Sequence, residues 1–329
     1  MSILVTGGAG FIGSHCIERL LAESRGPIIC LDNFNDYYDP RRKHANLAAF
    51  RDDPRVTILR GDFCDTEAMV QLFAERQVKQ VIHLGAYAGV RRSVETPELY
   101  ERTNVGGTLA LLEAARKHPV ERFLLASSST VYGDGASIPF REDQPLGIPL
   151  SPYGASKRAA ELLGLTYWRL HRVPVVCLRF FSVYGPRLRP DLALTIFAHA
   201  ILDGLPIPLF GDGSICRDFT YIDDILAGLF AALDIPAAVG QEMNLGHHEP
   251  LEMRLVIQQL AQELGMPAKI DRRAPRPEDL PVTCADLTKA GRILGYSPQV
   301  SFEEGIREFA EWVREMRAGA SEASAGAGR

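Results

Sequence analysis

Two short segments carry side chains able to move a proton. Ser151-Pro152-Tyr153-Gly154-Ala155-Ser156-Lys157 places a tyrosine and a lysine four residues apart. On a helix that spacing puts both on one face. A free phenol ionises near pH 10, too high for a base at neutral pH, and a nearby ammonium would favour the phenolate. The second segment, Ser127-Ser128-Ser129-Thr130-Val131-Tyr132-Gly133, supplies hydroxyls that can carry a proton and polarise a substrate oxygen. Alone, Tyr-x-x-x-Lys reads as the start of an amphipathic helix. It gains meaning only with a partner elsewhere in the chain.

That partner is Gly7-Gly8-Ala9-Gly10-Phe11-Ile12-Gly13, a G-x-x-G-x-x-G turn between an apolar run and a helical stretch. A pyrophosphate bound there meets backbone N–H groups and the positive end of a helix. Gly7 permits the tight turn, Gly10 the close approach of phosphate, and Gly13 close packing of helix on strand. Asp32 ends the next apolar run, 19 residues past Gly13, where a ribose-binding carboxylate is expected. Its charge would repel a 2′-phosphate, so NAD is expected rather than NADP. The positive nicotinamide ring then adds to the charge that favours a Tyr153 phenolate. Asp62, in Arg60-Gly61-Asp62-Phe63, reads equally as an acceptor for the adenine amino group or as a helix N-cap. Leu84-Gly85-Ala86 is small enough to let a ribose approach, whereas His83 reads as a satisfied strand histidine rather than a catalyst.

The elements that must position these groups follow from hydrophobic pattern. Apolar runs at 3–6, 27–32, 56–59, 80–84, 122–126 and 175–180 alternate with helical stretches such as 11–23, 66–76 and 104–117. Continuous apolar strands alternating with helices imply a parallel sheet covered on both faces. The fold class is therefore α/β: a Rossmann-type doubly wound parallel sheet with a smaller C-terminal α/β domain that binds substrate. Prolines at 186, 190, 206 and 208, and again at 267, 275, 277 and 281, break the rhythm. Residues 1–180 are expected to form the dinucleotide-binding domain, and 181–317 the substrate domain. Segments near 218–245 are expected to return to the sheet. Residues 272–281 read as loop, and the Ala/Gly/Ser-rich 318–329 as a disordered tail.

Composition closes off other classes. The chain has 329 residues, 46% hydrophobic and 23% charged, about two domains by length. With 36 basic and 41 acidic residues the net charge is −5, so there is no global basic field for nucleic acid or anionic lipid. The longest apolar stretch, 192–202, is too short for a membrane span, and the first residues do not read as a secretory signal. Six cysteines lie scattered, with no CxxC pair and no metal-ligand spacing. No metal is expected, and a reducing cytoplasm is the expected compartment.

These motifs, with Arg217-Asp218-Phe219-Thr220-Tyr221-Ile222-Asp223-Asp224, resemble the extended short-chain dehydrogenase/reductase family over residues 1 to about 315. Within it the chain is similar to the nucleotide-sugar 4-epimerases. The resemblance implies Ser128 as catalytic serine, Tyr153 as base and Lys157 as its partner. It implies a cofactor set of Gly7, Gly10, Phe11, Ile12, Gly13, Asp32, Asn33, Asp62, Phe63, Leu84, Ala86, Asn104, Ser127, Tyr153, Lys157 and Phe180. The implied reaction takes the proton from a sugar 4-OH and the C4 hydride onto tightly held NAD+. The 4-keto sugar turns about its diphosphate link, and the hydride returns to the opposite face. Related dehydratases and decarboxylases carry a carboxyl group in the serine segment. Ser129 and Thr130 stand there instead.

On the substrate side the resemblance implies Arg217 and Arg276 as diphosphate partners, Asp279 as uridine-ribose acceptor, and Pro208 and Phe210 beside the uracil. Asn33-Phe34-Asn35-Asp36-Tyr37-Tyr38-Asp39 and Arg179–Pro186, followed by Arg189-Pro190-Asp191, resemble the UDP-glucuronate 4-epimerases. Ser182 and Arg189, with the serine cluster through Ser128 and Ser129, would hold a C5 carboxylate. Thr283 stands where some hexose pockets are narrowed by a large residue. UDP-glucuronate is the expected substrate. UDP-glucose or UDP-N-acetylglucosamine epimerisation, a UDP-glucuronate decarboxylase and an NAD(P)-dependent nucleotide-sugar reductase are the alternatives. A non-catalytic sensor would usually have lost Tyr153 or Lys157. Helices 98–117 and 153–171 resemble the pair that builds a four-helix homodimer interface.

Overall fold

Short apolar runs, most of them buried, build one parallel sheet in the computed structural model, which describes residues 2–276 and 279–326. Its strands are β1 (Ser2–Thr6), β2 (Ile28–Asp32), β3 (Val56–Arg60), β4 (Val78–His83), β5 (Arg122–Ser128) and β6 (Val175–Phe180). Three more strands, β7 (Ser182–Tyr184), β8 (Pro206–Phe210) and β9 (Cys216–Tyr221), lie outside the sheet; β10 (Glu242–Leu245) joins it beside β6. The order is β10-β6-β5-β4-β1-β2-β3, with every pair parallel. The chain runs outward in both directions from β1, so the connections diverge between β1 and β4. In such sheets that divergence opens a crevice at the carboxyl ends of the strands.

Side chains alternate between two cores. Ile3, Val5, Ile28 and Cys30 face one, and Leu4, Ile29 and Leu31 the other. Helices α1 (Phe11–Ala22), α2 (Pro40–Asn46), α3 (Thr66–Arg76), α4 (Val90–Glu95), α5 (Pro97–Tyr100), α6 (Gly107–Lys117) and α7 (Pro152–His171) accompany the first six strands. A π-helical stretch, Glu101–Gly106, joins α5 to α6. Buried residues of α1 belong to the first core; those of α3, α6 and α7 belong to the second.

Beyond β6 come α8 (Ala193–Leu202) and α9 (Ile222–Asp234), then β11 (Pro250–Glu252), α10 (Met253–Leu264), β12 (Lys269–Arg273), α11 (Thr288–Leu294) and α12 (Phe302–Gly326). Strands β11, β9 and β7 form a small mixed sheet, while β8 pairs with β12 in parallel. Helix α9 buries Ile225, Leu229 and Phe230 in the first core, so it packs on the main sheet together with α1. The stretch expected as loop from 272 begins as strand, since Arg272 and Arg273 pair with Leu209 and Phe210. The expected disordered tail from 318 is helical as far as Gly326, because α12 continues through its Ala-rich residues. Pro277 and residues 327–329 lie outside the described residues. Among the described residues no helix is long and apolar enough to cross a membrane.

Candidate active site

A cleft of about 690 Å³ opens at the carboxyl ends of β1, β4 and β5 and reaches across to β8, β9 and Asp279. Its walls bring together Gly7, Gly10, Phe11, Ile12, Gly13, Asp32, Leu84, Ala86, Ser127, Ser128, Tyr153, Lys157 and Phe180. Ser182, Arg189, Pro208, Phe210, Arg217, Arg276 and Asp279 line the same cleft. Asn33, Asp62, Phe63, Asn104 and Ser129 do not line it.

The glycine turn is shaped by contact as well as by dihedral. Gly7 has φ +66°, and a Cβ there would stand 2.8 Å from Gly85 Cα. A Cβ on Gly13 would meet the Gly7 carbonyl at 2.2 Å. Gly10 N-caps α1 without any capping side chain, and the first turn carries no acidic residue. The helix end therefore keeps backbone donors and positive potential for an anion. Asp32 is buried, and its Oδ1 accepts from Phe34 N at 2.9 Å and from Lys43 Nζ at 2.9 Å. Lys43 is buried too, and also donates to Asn35. It was not anticipated from the sequence, where a lysine inside Arg-Arg-Lys-His reads as surface charge. Ser127 Oγ is buried and has no hydrogen-bond partner among the described residues. An uncapped helix end, a glycine cradle, a buried carboxylate and an orphaned hydroxyl on one wall fit a dinucleotide.

Three residues expected at the cofactor have these protein partners. Asp62 caps a local turn through Cys64 N and pairs with Arg102 at 3.5 Å; Asp65 is the N-cap of α3. Phe63 packs edge-on against His83 beneath Gly85 and Gly107. Asn104 lies on the π-helical stretch and holds Tyr87 by both backbone groups, at 2.9 Å each, while donating to Ser156. It fixes the loop after β4. The π-turn that aims it there leaves no mark in residue spacing.

Ser151 N-caps α7 through Gly154 N, with Pro152 at the first helical position, and so sets Tyr153 at the rim of the cleft. Burial pushes the Tyr153 phenol above its ordinary pKa; a bond to Ser128 and the positive charge of Arg189 oppose that shift. Lys157 donates to the Ala126 carbonyl at 2.8 Å, and burial lowers it to about 8 against the attraction of Glu161. Arg189 is thus a further cation acting on the phenol, a part the sequence reading gave to Lys157. Ser128 accepts from Thr130 N and Thr130 Oγ1, capping a short 3-10 turn that carries Ser129 away from the cleft wall. Beneath, buried Arg179 forks onto Glu161 at 2.9 Å twice and donates to Tyr132 at 3.2 Å.

At the far end Arg217 donates to the Leu280 carbonyl at 2.7 Å and to Asp279 at 3.2 Å. Arg276 lies over the Phe210 ring, its guanidinium carbon 3.2 Å from the centroid, so one face of that ring already carries a cation. Thr283 is buried, accepts from Asp218 N and does not line the cleft. Ser182 starts β7 on the wall. Arg189 is held by Asp191 through two bonds, at 3.0 and 2.7 Å. Tyr37 meets the same carboxylate. Both Tyr37 and Asp191 lie in segments the sequence reading singled out, but neither was given a role.

Known proteins share this fold. The GDP-mannose 4,6 dehydratase family model matches residues 4–309. The chain belongs to that family. A UDP-glucuronate 4-epimerase of Thermodesulfobacterium geofontis is 40% identical over 314 residues, spanning 95% of this chain and 96% of the relative. Among solved structures, a UDP-glucuronic acid 4-epimerase from Bacillus cereus, in complex with UDP-glucuronic acid and NAD, is 35% identical. It superposes with a TM-score of 0.90 over 96% of this chain and 100% of its own. A dTDP-glucose 4,6-dehydratase from Streptomyces venezuelae with NAD bound is 34% identical, with a TM-score of 0.89 over 97% and 98% of the two chains. The dehydratase family thus contains epimerases of the same shape, and its name does not by itself assign a reaction to this chain.

Proposed function

We propose that the protein is an NAD-dependent UDP-glucuronate 4-epimerase, forming UDP-galacturonate. The observation that carries this reading is the meeting of Tyr153, Ser128 and Arg189 in one cleft with the glycine turn and Asp32. The similarity to epimerases of this substrate supports it. Gly7, Gly10 and Gly13 with the start of α1 would hold the pyrophosphate, Asp32 and Lys43 the adenine ribose, and Ser127 and Lys157 the nicotinamide end. NAD bound there supplies a reversible acceptor for the C4 hydride.

The chain's own residues do the rest. Tyr153 takes the 4-OH proton, with Ser128 bonded to the phenol and the sugar oxygen. Arg217 and Arg276 meet the diphosphate, local cations in a chain whose net charge is −5. Arg189 and Ser182 face the C5 carboxylate. Arg189 lines the cleft with Nε and Nη2 engaged on Asp191. Fixing the carboxylate matters because a 4-keto uronate is a β-keto acid and can lose CO2. Positions 129 and 130 carry hydroxyls, so the second proton transfer of a dehydration has no carboxyl group.

One observation favours a second reading, a UDP-hexose 4-epimerase. Asp191 offsets the charge of Arg189, which weakens the pull on a carboxylate. Incubation with UDP-glucuronate and, separately, UDP-glucose, with products resolved by NMR, decides between them. UDP-galacturonate from the first is expected; turnover of UDP-glucose alone overturns the uronate reading. The reading includes a homodimer. Leu109 on α6 and Leu162 and Leu170 on α7 expose apolar side chains on the helix pair that would form a four-helix interface. It also places the protein in the cytoplasm, where six unpaired cysteines suit a reducing compartment.

A further inference from the structure

Arg189 lines the same cleft as Tyr153 but belongs to no strand or helix. It lies in the connection between β7 and α8, fixed by Asp191 two residues on. A carboxylate two residues away moves with the same loop. That pair therefore sets the guanidinium relative to the loop and not relative to the sheet. The start of this connection is tied to α1 by Arg187 on Ser14 and Glu18 and by His15 on the Pro186 carbonyl, but the Arg189–Asp191 pair itself is met by Tyr37, 154 residues before Asp191. Its single hydroxyl proton is shared between Asp191 Oδ2, at 3.1 Å, and the Ala88 carbonyl in the loop after β4, at 2.5 Å. Its ring centroid is 5.3 Å from the Arg189 guanidinium carbon and 4.4 Å from that of Arg92, which also donates to the Tyr37 carbonyl at 3.0 Å. The backbone beside Ala88 is shaped to admit the phenol: Gly89 has φ +110°, and a Cβ there would stand 2.8 Å from Tyr37 Oη.

We infer that Tyr37 is a positioning residue that ties the Arg189–Asp191 pair to the loop after β4 and so fixes where a substrate carboxylate is met. This rests on the uronate reading. Tyr37 acts through Arg189 and takes no part in proton transfer. An arginine fork displaced by even 1 Å loses most of its geometric match to a carboxylate, so the cost of losing the tie falls on binding of that group.

Tyr37→Phe keeps the ring and removes only the hydroxyl. Initial rates with UDP-glucuronate are expected to show KM raised about tenfold, the loss of one charge-linked hydrogen bond, with kcat nearly unchanged. Competitive inhibition by UDP, which has no sugar carboxylate, is expected to stay at the wild-type value, because Arg217 and Arg276 are untouched. Tyr37→Leu, which also removes the cation-stacking ring, should raise KM further. An unchanged KM overturns the inference. So does a parallel loss of UDP affinity, which marks general damage to the pocket, or a fall in kcat alone. A wild-type protein inert toward UDP-glucuronate refutes both this inference and the uronate reading. An active wild type with an unaffected Tyr37→Phe variant refutes the role of Tyr37 only.

Discussion

Tyr153 without cofactor is held in its neutral form. Burial raises its pKa, and the Ser128 bond and the Arg189 charge only partly offset it. The Lys157 ammonium is turned to the Ala126 carbonyl. The phenol thus becomes a competent base only when a further positive charge enters the cleft, which a bound oxidised nicotinamide would bring. Tyr153→Phe should therefore lower epimerisation by about 10²–10⁴-fold, the usual weight of a positioned acid–base group. It should leave bound NAD and UDP affinity intact, since the ring and its contact with Tyr100 remain. A variant retaining full activity would overturn the mechanism, and loss of bound NAD would move Tyr153 from proton transfer to cofactor binding. At this scale the sequence was legible where residues share one helix, as with Tyr153 and Lys157. It was not legible for Tyr37 and Asp191, whose contact joins two loops, or for Lys43, whose burial depends on Asp32 standing 11 residues earlier in a different element.

Strands β1 and β4 and helix α6 are tied by a buried polar chain. Thr108 donates to the Asn104 carbonyl at 2.6 Å, so His83 Nε2 is the donor toward Thr108 Oγ1 at 3.0 Å. His83 Nδ1 then accepts from Thr6 Oγ1 at 2.7 Å. The neutral imidazole is satisfied on both sides, as the sequence reading expected of a strand histidine. Burial pushes its pKa from 6.5 to about 3. The unfolded chain takes up this proton near pH 6.5 and the folded protein only near 3. The contribution is therefore fully present above 6.5 and is lost as pH falls toward 3. Between pH 7 and pH 5 it should cost about 2 kcal/mol of stability, seen as a falling midpoint in urea unfolding. His83→Gln should be less stable at pH 7 but show a shallower fall; equal slopes in both proteins would refute this. The same elements show where pattern reading stops. It places β4 and α6, but not the π-helical stretch before α6, because an i→i+5 turn has no residue signature of its own.

The molecule as a whole departs from the sequence reading mainly where distant segments meet. The first six strands were legible as apolar runs because a parallel sheet buries both faces of each strand. The pairing of β8 with β12 was not, since five residues bearing Pro206 and Pro208, and five bearing Lys269, Arg272 and Arg273, look like loop until the other strand is present. One whole-molecule feature remains to be tested. Leu162 and Leu170 lie eight residues apart on α7, hence on one face, and are 60% and 70% exposed; Val94 on α4 and Leu109 on α6 add to the exposed apolar surface. We propose that these side chains form one interaction surface, as contiguous exposed apolar patches do. The proposed occupant is a second copy of α6 and α7 related by two-fold symmetry, in which each patch meets itself. Leu162→Glu would then place two carboxylates near the axis, each desolvated without a cation. Sedimentation at micromolar concentration is expected to show a dimer for the wild type and a monomer for Leu162→Glu. Tyr153 and Lys157 sit in the first two turns of the same helix and are unaltered, and Leu162 is exposed, so the monomeric variant should still retain NAD. A wild type that sediments only as monomer would refute the interface, and an unchanged dimer in Leu162→Glu would move it to another face.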